Sequence, residues 1–123
     1  MSKKHVVMIG WHPSAVNYEK WTHLTPEKLQ AMLEADRDSL NQLGYQAELC
    51  FVRSAETAQA DVEQYLAENA VDCVLIGAGV RTDADHFLVF ETLVNAVHKS
   101  APQANICFNT NPTDTAAAVQ RWV

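Results

Sequence analysis

His12 and Arg81 are the side chains of this sequence best suited to moving a proton and to holding a negative charge. His12 comes directly after the apolar run His5-Val6-Val7-Met8-Ile9 and the pair Gly10-Trp11. Histidines exchange protons near neutral pH, which suits them to acid–base work. Arg81 follows Gly77-Ala78-Gly79-Val80, and its planar guanidinium fork matches a carboxylate or a phosphate. Glycines let a backbone approach a ligand, and a helix start offers unpaired N–H groups, so Gly77 and Gly79 read as half of a phosphate-cradling loop. The dinucleotide fingerprint would need a further glycine where Thr82 stands, so no cofactor is named. The run Asn109-Thr110-Asn111-Pro112-Thr113-Asp114 is richer in short hydrogen-bonding side chains than a helix cap requires. Asn109 and Thr110 are therefore expected to touch a ligand as well.

Between the first strand and the first helix lies a stretch of aromatics, histidines and prolines from Trp11 to Thr25. It is well beyond the usual length of such a connection, and loops of that kind are commonly lids or binding elements. Trp11, Ser14, Tyr18 and Trp21 are expected to contact a ligand, with Tyr18 and Trp21 closing over it. His5, His23, His86 and His98 read as structural. A metal held by His12, His23, His86 and Asp83 or Asp85 is considered, but no spacing enforces ligation, and none is expected.

Four alternations of strand and helix must position these groups. The first helix opens at Thr25-Pro26-Glu27, with Thr25 as cap and Pro26 at the first helical position. Leu29, Met32, Leu33, Leu40 and Leu43 follow the helical period until Gly44 ends it. A second strand spans Tyr45 to Val52, and the helix after Ser54 places Val62, Tyr65 and Leu66 on one face. The third strand, Val71 to Ile76, ends at Gly77-Ala78-Gly79, and the third helix starts around Thr82 to Asp85, burying Phe87, Phe90, Val94 and Val97. A short fourth strand, Asn105 to Phe108, precedes a last helix from about Pro112-Thr113 to Trp122-Val123.

Repeated strand–helix units predict a parallel sheet with helices on both faces. Strands one and three are nearly all apolar and belong in the middle; the polar-spotted second and the short fourth belong at the edges. The expected order is 2-1-3-4, a flavodoxin-like three-layer α/β sandwich in a single domain of residues 1–123. In such a sheet the winding reverses between strands one and three, and the loops at their C-terminal ends open a crevice. All the residues singled out above as ligand contacts lie on that rim.

The 123 residues are 48% hydrophobic, and nine Lys and Arg stand against fifteen Asp and Glu. An acidic balance of this kind does not fit a phosphate-backbone footprint, so nucleic acid is not an expected partner. The opening Met1-Ser2-Lys3-Lys4-His5 leads into too short an apolar run for a secretory leader, and no run reaches membrane-spanning length. A cytoplasmic protein is expected, with Cys50, Cys73 and Cys107 reduced and packed in strands. Edge strand four and the apolar end of the chain at Trp122 lack a fifth unit to cover them. A homodimer through that side is one expectation; Trp122 folding back on its own core is the other.

The phrases "MIGWHP", "VLIGAGVRTD" and "CFNTNPTDT" resemble those of uncharacterised bacterial hypothetical proteins with a small flavodoxin-like fold, and the resemblance implies that fold without a chemistry. Characterised families of this fold fail residue by residue. Response-regulator receivers would carry acidic residues where Trp11-His12 and Gly77 stand, and flavodoxins a phosphate loop unlike Trp11-His12-Pro13-Ser14-Ala15-Val16. Cobalamin-binding domains would fit His12 but need Asp at Gly10 and Gly at Ala15. Sugar-phosphotransferase domains and small tyrosine phosphatases need a cysteine in that loop. The leading expectation is a binder of a small anionic or carbonyl metabolite at the rim, with His12 doing any non-redox acid–base work. The rival is a non-catalytic regulatory or protein-interaction module. A pocket between His12 and Arg81 would favour the first, and a flat patch of Tyr18 and Trp21 the second.

Overall fold

A computed structural model describes residues 3–123, so Met1 and Ser2, where the leader reading begins, lie outside it. Four strands, β1 (His5–Trp11), β2 (Gln46–Val52), β3 (Cys73–Ile76) and β4 (Asn105–Phe108), form an all-parallel sheet of order β2-β1-β3-β4. β1 pairs with β2 from His5↔Gln46 to Trp11↔Val52 and with β3 from Val6↔Cys73 to Ile9↔Ile76. The continuous apolar runs of β1 and β3 are thus spent on central strands covered on both faces, as expected for parallel sheets. This is the flavodoxin-like three-layer arrangement.

The helices are α1 (Pro26–Gln42), α2 (Ala58–Glu68), α3 (Ala78–Arg81), α4 (Phe87–Ser100) and α5 (Thr115–Gln120). On one face of the sheet Val7, Ile9, Val74 and Ile76 pack with Val62 and Leu66 of α2 and Leu93 and Val97 of α4. On the other, Val6, Met8, Cys73, Leu75 and Cys107 pack with Leu40 of α1 and Ala118 and Val119 of α5. All three cysteines are buried and free, with the sulfurs of Cys73 and Cys107 3.5 Å apart. Among the described residues, no helix is long and apolar enough to cross a membrane.

The start of α1 follows its sequence signals: Thr25 Oγ1 accepts the Lys28 N–H at 3.1 Å, and Pro26 holds the first helical position. Such a cap is worth about 1 kcal/mol. At its other end Gly44 takes φ +100°, a conformation that side chains avoid, and turns the chain into β2.

Three expectations need correction. The segment after β3 is not an open loop: Gly77 caps the helical turn α3, and a 3₁₀ turn over Ala84–His86 leads into α4. Phe87 is 59% exposed rather than buried, because it is the first residue of α4 and the buried face begins at Val89 and continues through Leu93, Ala96 and Val97. The apolar stripe of α1 is sealed only at Leu40; Leu29 and Leu33 are half-buried and Met32 is 38% exposed. What that stripe faces locates the site.

Candidate functional site

Where the loops of β1, β3 and β4 diverge, a cavity of about 630 Å³ opens above the sheet. Gly10 and Trp11 form its floor, Ala78, Gly79 and Val80 one side, and Leu29, Met32 and Leu33 of α1 the side opposite. The long loop supplies Trp21, His23 and Leu24, and Thr110 and Asn111 close the β4 end. The volume lies within the range of small-molecule sites, as does the placement at a topological switch point.

Four charged or titratable groups of this cavity, Lys20, Asp83, Asp85 and His86, form one cluster. His86 and Asp83, one helical turn apart, are joined through His86 Nδ1 and Asp83 Oδ2 at 2.8 Å. The His86 ring also stands edge-on to Trp11, with centroids 5.2 Å apart. With Nδ1 engaged by a carboxylate, Nε2 is the ring atom left to work; it has no hydrogen-bond partner among the described residues. Asp83 Oδ1 takes the Asp85 N–H at 3.1 Å and lies 3.4 Å from Lys20 Nζ, which is 3.0 Å from Asp85 Oδ2. Burial pushes the Asp83 carboxyl up, but the hydrogen bonds from His86 and the Asp85 backbone outweigh it and hold it below its ordinary value. Asp83 is therefore a fixed anion that orients His86, while Lys20 ties the long loop down across the cavity. Lys28, also on the wall, adds a second positive charge.

Of the residues expected from the sequence, Trp11, Trp21, Gly79 and Thr110 line this cavity. His12 and Arg81 do not, and they do not face one another. The His12 N–H continues the β1–β2 ladder to Val52 O, and the His12 ring stands edge-on to Phe51 with centroids 5.2 Å apart. His12 Nδ1 then caps the turn at Pro13–Ala15, accepting the Ser14 N–H at 3.1 Å, with Ser14 Oγ 2.8 Å away. Arg81 ends α3 pointing toward β4, where it donates to Asn109 O at 2.6 Å and lies over the Phe108 ring. Tyr18 is also turned aside, donating to Pro13 O inside its own loop. Gly77 lines a smaller cavity behind this one, and a Cβ there would stand 3.4 Å from Ile9 O, in ordinary contact with the β1 backbone.

Asn109 is 5% exposed, and both ends of its amide are committed. Its Oδ1 accepts the Ala78 N–H at 2.9 Å and its Nδ2 donates to Thr115 Oγ1 at 2.8 Å. It builds the rim. Asn111 caps the turn Pro112–Asp114 by accepting the Thr113 N–H, and Asp114 reaches back to the Thr110 and Asn111 N–H groups. Among the described residues, no group of three or more His, Cys, Asp or Glu side chains gathers as a metal site.

Sequence reasoning missed the α1 wall, and it considered Asp83 and His86 only as metal ligands or structural groups without pairing them. The pair had a readable signal, since residues three apart on a helical turn share a face. No family model, curated protein or solved structure matches this chain.

Proposed function

We propose that this protein binds a small molecule with an apolar body and an acidic or carbonyl head in the cavity between α1 and the rim of β1, β3 and β4. One observation carries the reading: Leu29, Met32 and Leu33, the N-terminal part of the apolar stripe of α1, face an open cavity rather than protein. Apolar surface left uncovered forgoes about 25 cal/mol per Å², and a ligand seated there recovers it. Lys28, which makes no ion pair with the described residues, suits a negative head group, while Lys20 is taken up by Asp83 and Asp85. His86, oriented by Asp83, supplies a proton donor or acceptor in the same cavity. Acid–base work, on this reading, belongs to His86 rather than to His12.

Octanoate is a suitable probe, because it carries a carboxylate on a flexible apolar chain and Trp11 and Trp21 on the walls report its arrival. The expected result is a saturable change in tryptophan emission at one site per chain, with a dissociation constant at or below about 1 mM, or about 4 kcal/mol of binding. A signal that stays flat, or climbs without saturating, overturns the proposal. Mass spectrometry of extracts from the protein as purified then identifies what the cell places there.

A second observation supports self-association. Phe87, Leu88, Phe108 and Trp122 are 59%, 69%, 36% and 56% exposed, and Phe108 belongs to the edge strand β4 itself. β4 pairs with β3 on one side, and Arg121 donates to its Phe108 O at 3.1 Å. We propose an isologous homodimer across this edge, in which the same patch meets its own copy. Light scattering at tens of micromolar is expected to give twice the 13.7 kDa chain mass. A monomer mass throughout that range rejects it.

A further inference from the structure

Behind the main cavity, and sharing Gly10, Leu33, Ala78 and Asn111 with its wall, lies a second of about 80 Å³. Met8, Leu49, Phe51 and Leu75 make it largely apolar, and Asp36 of α1 is its one ionisable side chain. Asp36 Oδ2 accepts the Thr115 hydroxyl at 2.8 Å; that hydroxyl accepts from Asn109 Nδ2, and Asn109 Oδ1 holds the Ala78 N–H. The chain of bonds fixes the carboxyl from behind. Asp36 Oδ1 makes no hydrogen bond with any described residue. Asp36 is half-buried, and this oxygen borders open space rather than sealed protein, so it is free to accept a bond. Burial, with the Asp114 charge adding to it, raises the Asp36 carboxyl above its ordinary range despite the Thr115 bond.

Gly10 belongs to the wall shared by the two cavities. Gly10 alternates with Met8 along β1 and so faces α1, its φ is not positive, and a Cβ built there meets nothing within 4 Å. The strand would accept a side chain at this position; the space in front of it is what a side chain would take away.

We propose that the small cavity is the inner end of the ligand site and that Asp36 Oδ1 there accepts a hydrogen bond from a hydroxyl or amino group at the far end of the ligand. This rests on the reading of the larger cavity as a ligand site. The ligand class is then bifunctional: an acidic or carbonyl head toward Lys28 and His86, an apolar body along α1, and a donor at the tail. The inner volume suits such a tail, since about 80 Å³ is a few times the roughly 30 Å³ share of one water.

The test compares octanoate with 8-hydroxyoctanoate by tryptophan emission on the full chain. The hydroxylated probe is expected to bind about tenfold more tightly, the measure of one hydrogen bond to a charged group. Asp36→Leu should abolish that preference. Gly10→Val, which plugs the junction while favouring the strand, should abolish it independently and covers the case in which Asp36→Leu does not fold. If neither probe binds the parent, the ligand-site reading fails and this inference with it. If octanoate binds and the hydroxylated probe binds no tighter, or if the folded variants keep the preference, the assignment of Asp36 alone is overturned.

Discussion

Asn109→Ala is expected to lower the free energy of unfolding by about 3 kcal/mol, the larger part of it from polar groups left unpaired rather than from reduced packing. Asn109 is buried where β4 ends, and its amide is the tie between α3 and α5. Removing it orphans the Ala78 N–H and takes from Thr115 the donor that holds its hydroxyl toward Asp36. Each net hydrogen bond is worth about 1 kcal/mol, and each orphaned buried group costs about 1–3 more. Asn109→Asp should do no better, because the carboxylate keeps the acceptor for Ala78 but cannot donate to Thr115, and it adds a negative charge to a network that already ends in Asp36. Denaturant unfolding measures both, as a lower midpoint at unchanged slope. A loss under about 0.5 kcal/mol, the level of an ordinary surface substitution, would mean that water replaces the amide and that the rim is not held by this side chain.

The role of Asn109 shows where sequence could and could not lead. Its position at the end of a strand, among short polar residues, announced a rim; whether its amide meets a ligand or the chain itself depends on α3 and α5 arriving beside it, and those contacts are long-range. The sheet order was legible for a simple reason: burial on both faces removes polar alternation, so β1 and β3 identify themselves. Thr25-Pro26 likewise marked the start of α1, because capping is local chemistry. Periodicity was less informative in Leu29, Met32 and Leu33. A helical stripe reports that one face is apolar and says nothing of what covers it, so a cavity wall and a core-facing stripe look alike. His12 and Arg81 lie on the right rim but turn elsewhere. His12 is diverted by capping its own turn, and Arg81 by the helical turn that Gly77-Ala78-Gly79 adopts in place of a loop. Asp36 carried no signal at all, since an acidic residue in mid-helix is ordinarily solvated.

Met32→Trp is expected to weaken octanoate binding by at least about a hundredfold, or about 2.7 kcal/mol, while leaving the fold intact. Met32 stands on the cavity wall and is 38% exposed, so the indole enters open space and displaces no packed neighbour. Overpacking strain, which penalises large residues in a filled core, should be absent, and thermal stability should stay within about 1 kcal/mol of the parent or rise as the added ring covers Leu29 and Leu33. Met32→Ala is the opposing control: it enlarges the space and removes only part of one wall, so binding should fall by a smaller factor. Leu88→Asp separates this site from the other apolar surface, since Leu88 is 69% exposed on α4 and does not line the cavity. It should leave octanoate affinity unchanged. The opposite pattern, with Met32→Trp binding like the parent and Leu88→Asp losing affinity, would place the probe on the β4 side. The uncovered stripe of α1 would then be no binding wall, and the exposed patch of Phe87 and Leu88 would be the surface through which this protein meets its partners.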